Sequence, residues 1–299
     1  MGQHHFKVHL ALFAVSFIYA LTFSLVKDIM PYYLQGFGFI VIRVSGAAIL
    51  FLLAGSQVKE RIDWRKHGWR ILACAVFGVA ANMLMFFKGL EITSPINGAV
   101  LMLATPIFVL LLNLLINKER MNILQAIGIL MAALGSVLLM SGKSFGFSSA
   151  TYVGDLLILF NAISYAMYLV LAKALLSEYH TLTVSKYTFL IGALLVLPFG
   201  YSELMQGKFS EMPMSIVLEV LFIIVCTTFV TYLLNAWAIK QAGPNIVGAY
   251  IYLQPILATI IAVILQKDIL NTYKMFAILL IFAGVFTTTK QLKWYKSKA

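Results

Sequence analysis

The sequence predicts an all-α integral membrane protein of ten transmembrane helices, arranged as two inverted five-helix repeats. Three observations predict it. Hydrophobic residues make up 62% of the 299 and charged residues 11%, too few charges for the polar shell of a soluble domain. Ten apolar stretches are long enough to cross a bilayer, at roughly 17–25 residues each. The chain also repeats itself. Pro95, Pro106, Ile107, Lys118, Asn122, Ile129, Leu130 and Gly135 recur, with no gap, as Pro244, Pro255, Ile256, Lys267, Asn271, Ile278, Leu279 and Gly284, 149 positions on.

In order, the spans read His9–Val26, Tyr33–Ala54, Ile71–Leu90, Ile96–Ile116, Asn122–Ser141, Asp155–Leu175, Val184–Tyr201, Ser215–Ile239, Ile246–Leu265 and Tyr273–Thr289. They read as helices because each segment in lipid must satisfy its own backbone hydrogen bonds, and runs such as 108–112 are apolar on every side rather than alternating. The first span lacks a small-x-small cleavage site and reads as a retained span, not a cleaved leader. The longest linker, about sixteen residues, separates spans two and three, leaving no room for a soluble domain. Cys74 and Cys226 fall in apolar helices at non-equivalent positions and read as small buried hydrophobes, not a disulfide.

Charge sets the expected orientation. With the N-terminus inside, 15 of the 22 Lys and Arg fall on the inner side and 6 on the outer, with Arg43 alone inside a span. That split obeys the positive-inside rule and puts both termini in the cytoplasm, in a multi-pass plasma (inner) membrane protein. The basic residues are dispersed over short loops, so nucleic acid is not an expected partner, whereas the loop from Lys59 to Arg70 touches anionic lipid headgroups.

The repeat has a mechanical consequence. At an offset of 146, Tyr19 and Ala20 match Tyr165 and Ala166, and Gly46 matches Gly192, so the halves 1–145 and 146–299 each hold five spans. Five is odd, and the second half inserts upside down relative to the first. Exchange of conformation between inverted halves is a route to alternating access around a central site.

Particular motifs carry a family resemblance. Lys88 to Ala99 (KGLEITSPINGA), Thr105-Pro106, Asn117 to Asn122 (NKERMN), Gly128 and Gly135 make the first copy; Ala238 to Pro244 (AIKQAGP), Gln254-Pro255, Lys267-Asp268 and Gly284 make the second. With Gly154-Asp155 and Ser164 to Tyr168, these resemble the EamA-like repeat of the drug/metabolite transporter superfamily over nearly the whole chain. The resemblance implies ten helices, cytoplasmic termini, and export or exchange of small metabolites, often amino acids. The chain departs from the pattern at Asp268, where Glu is usual, and at Ile18-Tyr19-Ala20, where the first helix lacks the common Trp-Gly or Trp-Ser pair.

Intramembrane polar groups are costly and each asks for a reason. Arg43, mid-span with no acid within a turn, reads either as counter-charge for a substrate carboxylate or phosphate, or as a structural arginine bonded to carbonyls, Glu219 or Glu91 or snorkelling outward. Tyr19 and Tyr165 are repeat equivalents, with Asn161 one turn before Tyr165. Asn82 and Phe86 map onto Thr231 and Asn235, and Thr105 onto Gln254, with Tyr250 one turn earlier. Four-residue spacing puts each pair on one helix face, so these residues are expected to line a shared polar-aromatic cavity or to bond between helices. Pro106 and Pro255 interrupt helices at equivalent positions and are the expected hinges. Small-xxx-small spacing at Gly128, Ala132, Gly135 and Gly284 predicts close helix contact or, alternatively, a homodimer face.

No phosphate-binding loop, metal-ligand set or deep intramembrane Asp or Glu is evident, with the histidines at the N-terminus (His4, His5, His9) or in loops (His67, His180). No cofactor and no enzyme chemistry are expected. The expected function is a secondary transporter exporting or exchanging a small polar metabolite, amino acids first. Alternatives are an uptake carrier for a vitamin, nucleoside or nucleotide-like compound, and a polytopic enzyme on lipid-linked substrates, which would need a catalytic constellation at the membrane face.

Orientation is checked by labelling intact cells: a cysteine introduced at Ser148 reacts with an impermeant maleimide and one at Ser297 does not. The reverse pattern overturns the topology.

Overall fold

A computed structural model describes residues 2–93, 95–118, 122–141, 151–264 and 272–290. Glu119, Arg120, Lys267 and Asp268 of the repeat motif, and the labelling positions Ser148 and Ser297, lie outside the described residues. All ten expected helices are present, and no strand occurs among the described residues. Six are continuous in the manner the apolar runs predict: α1 (Gly2–Ile29), α2 (Gly36–Gly55), α5 (Ile123–Ser141), α6 (Tyr152–Glu178), α7 (Thr181–Met205) and α10 (Thr272–Lys290). Seven helical stretches are long and apolar enough to cross a membrane, and three shorter apolar ones lie in α1, α5 and α10. The chain is an integral multi-pass membrane protein.

The remaining helices are interrupted, in matched pairs. α3 runs Trp64–Ala75, passes through a π-helical turn at Val76–Ala80 and resumes as Ala81–Ile92. α8 does the same as Met214–Phe222, a π segment at Ile223–Val230, and Thr231–Ala242. The first π turn, moved by the 149-residue offset, falls within the second. α4 is split into Pro95–Met102 and Thr105–Ile116 by a tight turn, in which Leu103 and Ala104 donate to carbonyls three residues back. α9 consists of Pro244–Ala249, a 3-10 turn at Tyr250–Tyr252, and Leu253–Ile264. In α4 and α9 the break stands just before a proline. Pro106 therefore opens a new helix, where its missing N–H costs nothing, rather than bending an unbroken one as the sequence suggests.

One boundary corrects the sequence reading. α3 begins seven residues early, at Trp64, because Asp63 caps it by accepting from Arg65 N (3.1 Å) and Lys66 N (3.3 Å). His67 is consequently helical and buried, not in a loop, and its Nε2 lies 3.0 Å from Glu178 Oε2. Cys74 is buried as expected, whereas Cys226 is only half-buried; both are free thiols.

Packing runs mostly between the halves. α5 lies along α10, α2 along α7, α3 on α6, α8 on α1, α4 on α6 and α9 on α1. The α5–α10 seam is built from the small residues the spacing singled out. A Cβ on Gly284 would stand 2.5 Å from Ala132 N and Gly128 O, and one on Gly135 2.9 Å from Ala277 O. Close contact within the chain, not a face left for a second copy, is what these glycines serve. Leu115, Leu194, Ile264 and Phe286 point outward from the bundle, the arrangement a lipid solvent permits.

The α2–α7 pair is held at both ends by carboxylates from the opposite half. Glu203, late in α7, accepts from Phe37 N (2.7 Å) and Gly38 N (3.0 Å) at the start of α2. Glu60, just after α2, accepts from His180 N (2.8 Å), the N-cap of α7. Each acid meets the positive end of a helix dipole.

Gly284→Leu should open the seam and destabilise the protein by about 2 kcal/mol, the cost of overpacking a tight contact. Gly68→Ala, whose added methyl meets only Trp64 at 3.4 Å, should be neutral. Thermal unfolding of the two variants in nanodiscs checks the contrast.

Candidate functional site

A small cavity of about 10 Å³, room for one water-sized group, lies where α1, α6, α8 and α9 meet. Its wall contains five residues that the repeat pattern picked out: Tyr19, Tyr165, Asn235, Tyr250 and Gln254. Leu12, Val15, Ser16, Val247 and Ile251 complete it. Four-residue spacing brought Gln254 and Tyr250 to one face even though the helix tightens between them.

The polar groups form a bonded set. Asn235 Nδ2 donates to the Tyr165 hydroxyl (3.2 Å), which itself bonds the Tyr19 hydroxyl. Tyr19 lies 3.2 Å from Thr231 Oγ1. The repeat-related tyrosines thus meet at the centre. On the other wall, Ser16 Oγ is shared between the carbonyls of Leu12 and Tyr250, both at 3.0 Å, and the Tyr250 hydroxyl bonds His9 Nδ1 at 2.6 Å.

The π segment of α8 explains why threonines surround this centre. A π turn widens the helix and takes its carbonyls off the regular ladder, so side chains complete the bonding. Thr228 Oγ1 donates to Ile223 O (2.9 Å), Thr231 Oγ1 to Thr227 O (2.5 Å), and the Thr227 and Thr22 hydroxyls are 2.7 Å apart. In the matching π turn of α3, Ser164 donates to Phe77 O (2.9 Å) and Tyr232 to Gly78 O (2.9 Å). Arg43 projects from α2 onto the first of these regions, with Nε 2.7 Å from Thr228 Oγ1.

Other expected site residues are elsewhere. Asn82 and Asn161 clasp α3 to α6: Asn161 Nδ2 donates to Asn82 O at 2.6 Å, and Asn82 Nδ2 reaches Asn161 O at 3.5 Å. They bond helix to helix rather than lining the cavity. Phe86 packs edge-on to Phe87 against the core, so the face it shares with Asn82 is a packing face. Thr105 is fully buried at the start of the second piece of α4, away from the cavity. Glu91, one proposed partner of Arg43, pairs with Lys88 at 2.8 Å instead.

Sequence reasoning missed His9, Ser16, Thr227 and Thr228. Ser16 stands three residues before Tyr19 and shares its face, a signal that was available. His9 was set aside as terminal, yet α1 extends through it and carries it to Tyr250. Asp155 is another revision: it opens α6 but is 4% exposed, with its carboxylate held by the hydroxyls of Thr93 and Thr151. Among the described residues no cluster of three His, Cys, Asp or Glu could hold a metal.

Comparison with known proteins follows the same lines. The chain matches the EamA-like transporter family twice, over residues 6–141 and 152–290. It is 24% identical over 293 residues to the uncharacterized transporter YyaM of Bacillus subtilis, covering 95% of this chain and 94% of that one. An uncharacterized transporter of Archaeoglobus fulgidus is 25% identical over 288 residues, covering 95% and 97%. One solved crystal structure superposes with a TM-score of 0.79 at 18% identity, covering 95% of this chain and 96% of its own, a likeness of fold.

Asn161→Ala should therefore act on stability and not on solute affinity. The expected loss is about 1 kcal/mol, typical of an interhelical hydrogen bond in a membrane, read by thermal unfolding. A changed transport KM with unchanged stability would return Asn161 to the cavity.

Proposed function

The chain belongs to the EamA-like transporter family, and on that premise we propose that it exports or exchanges a small polar metabolite, amino acids first, by alternating access between inverted halves. The observation that carries this reading is the pairing of contacts around the cavity. Whatever α3 and α4 do to α6, α8 and α9 do to α1, while α2–α7 and α5–α10 pair equivalents with each other. These paired contacts support a two-fold relation between the halves, with the packing of α8 on α6 as an exception that α3 and α1 do not match. Five spans in each half turn the axis of that relation into the membrane plane.

In this mechanism α5 and α10 are the fixed frame, since their glycine contacts tolerate little sliding. The parts that rearrange are the interrupted helices. The tight turns before Pro106 and Pro255, and the π segments in α3 and α8, are places where one turn's bonding can change at low cost. The His9–Tyr250 bond, at the N-terminal part of α1, closes the cavity on the side we assign to the cytoplasm. Opening there releases the solute binding residues Tyr19, Tyr165, Asn235 and Gln254 to the inner solution. Both termini are assigned to the cytoplasm of a plasma (inner) membrane protein by the charge split.

The experiment is efflux. Cells overexpressing the protein should resist toxic amino-acid analogues and lose preloaded amino acids faster than cells with the empty vector. Exchange in proteoliposomes should follow the same specificity. No effect with any member of a panel of neutral, acidic and basic amino acids would sink the amino-acid assignment.

A further inference from the structure

Arg43 carries a charge that its surroundings do not balance. It is the eighth of the twenty residues of α2 and 9% exposed. Its Nε donates to Thr228, a neutral hydroxyl. The four remaining N–H groups of the guanidinium meet no acceptor among the described residues, and no carboxylate there lies within 4.0 Å of it. Buried charges are ordinarily paired, because desolvation costs several kcal/mol and an intramembrane site offers no water to offset it. Both candidate acids fail: Glu91 is taken by Lys88, and Glu219 is not within ion-pair range. A structural arginine would be expected to spend its fork on carbonyls or acids, and this one does not.

We propose that Arg43 is an anion site for the carboxylate of the transported solute. This deepens the transporter reading and rests on it. The planar fork offers two parallel N–H donors, the geometry a carboxylate accepts bidentately. Thr228 and Thr231, three residues apart on α8, link this charge to the cavity: Arg43 Nε is 2.7 Å from Thr228 Oγ1, and Tyr19 of the cavity wall is 3.2 Å from Thr231 Oγ1. Thr228 holds Nε from behind, so the guanidinium edge is fixed in direction. The cavity itself contains no acid. Ser16, Tyr165, Asn235, Tyr250 and Gln254 are all neutral, so an ammonium group finds only neutral oxygens and aromatic faces. The carboxylate is therefore the required group and the amino group an accessory one. Zwitterions and simple monocarboxylates both qualify; cations are excluded by the same charge.

The test uses matched four-carbon probes on the full-length protein in nanodiscs: butyrate, 2-aminobutyrate, butyramide and butylamine, with chloride as ionic control. Thermal unfolding should shift upward with butyrate and 2-aminobutyrate, and not with butyramide, butylamine or chloride. Arg43→Gln should weaken the carboxylate effect at least about tenfold in apparent Kd, while Arg43→Lys retains part of it. Equal stabilisation by butyramide and butyrate in the wild type overturns the proposal, whether or not any variant folds. So does a folded Arg43→Gln protein with an undiminished shift, or a wild type that responds to no carboxylate. Butyrate alone shifting the protein would give a monocarboxylate site and retire amino acids while keeping the anion site. Amino-acid export that survives Arg43→Gln unchanged would retire the anion site and keep the transporter reading.

Discussion

Backbone hydrogen bonding without water is the constraint on which this structure depends. In hydrocarbon every peptide group needs a partner within the protein, which forces helices and makes each departure from a helix visible as a local bonding problem. The chain departs at four places, in α3, α4, α8 and α9. At the π segments carbonyls are met by Ser164 and Tyr232 from the other half, and by Thr228 and Thr231 from the same helix. The polar centre follows from this requirement. The hydroxyls that repair α3 and α8 stand next to the cavity rather than in its wall: Thr231 bonds Tyr19, which lines it.

That origin also explains the split among the polar residues. Asn82 and Asn161 clasp α3 to α6 and stand back from the cavity, with Asn161 Oδ1 buried and unpartnered. Tyr19, Tyr165, Asn235 and Thr231 instead share a chain of bonds that links α1, α6 and α8.

Much of this was legible beforehand. The ten apolar runs, the 149-residue repeat and the small residues of α5 and α10 predict the helices and the tight seam, because length, identity and volume are properties of the letters themselves. Tyr19, Tyr165, Asn235, Tyr250 and Gln254 were found by combining helical spacing with repeat equivalence. The π turns were not legible: nothing distinguishes Val76–Ala80 or Ile223–Val230 from ordinary apolar helix, since the extra residue per turn is decided by packing. Nor were the end contacts made by Glu203 and Glu60, which cap helices far away in sequence and so leave no local spacing to read. Phe86 and Thr105 were misplaced for the complementary reason, that sharing a face with a polar residue does not say which side of the bundle that face addresses.

The interleaving of the halves bears on how the protein is made. Arg43 meets Thr228 across 185 residues of chain, and Asn82 meets Asn161 across 79. When the first five helices leave the ribosome and enter the bilayer, their buried arginine and asparagine have as yet no partners. Nascent chain in that state has to keep those faces toward water, lipid headgroups or the insertion machinery until α6 and α8 arrive. Biogenesis of this protein is thus a race between release of the first half into lipid and synthesis of the second, and slowing translation before Thr228 is emitted lengthens the exposed interval.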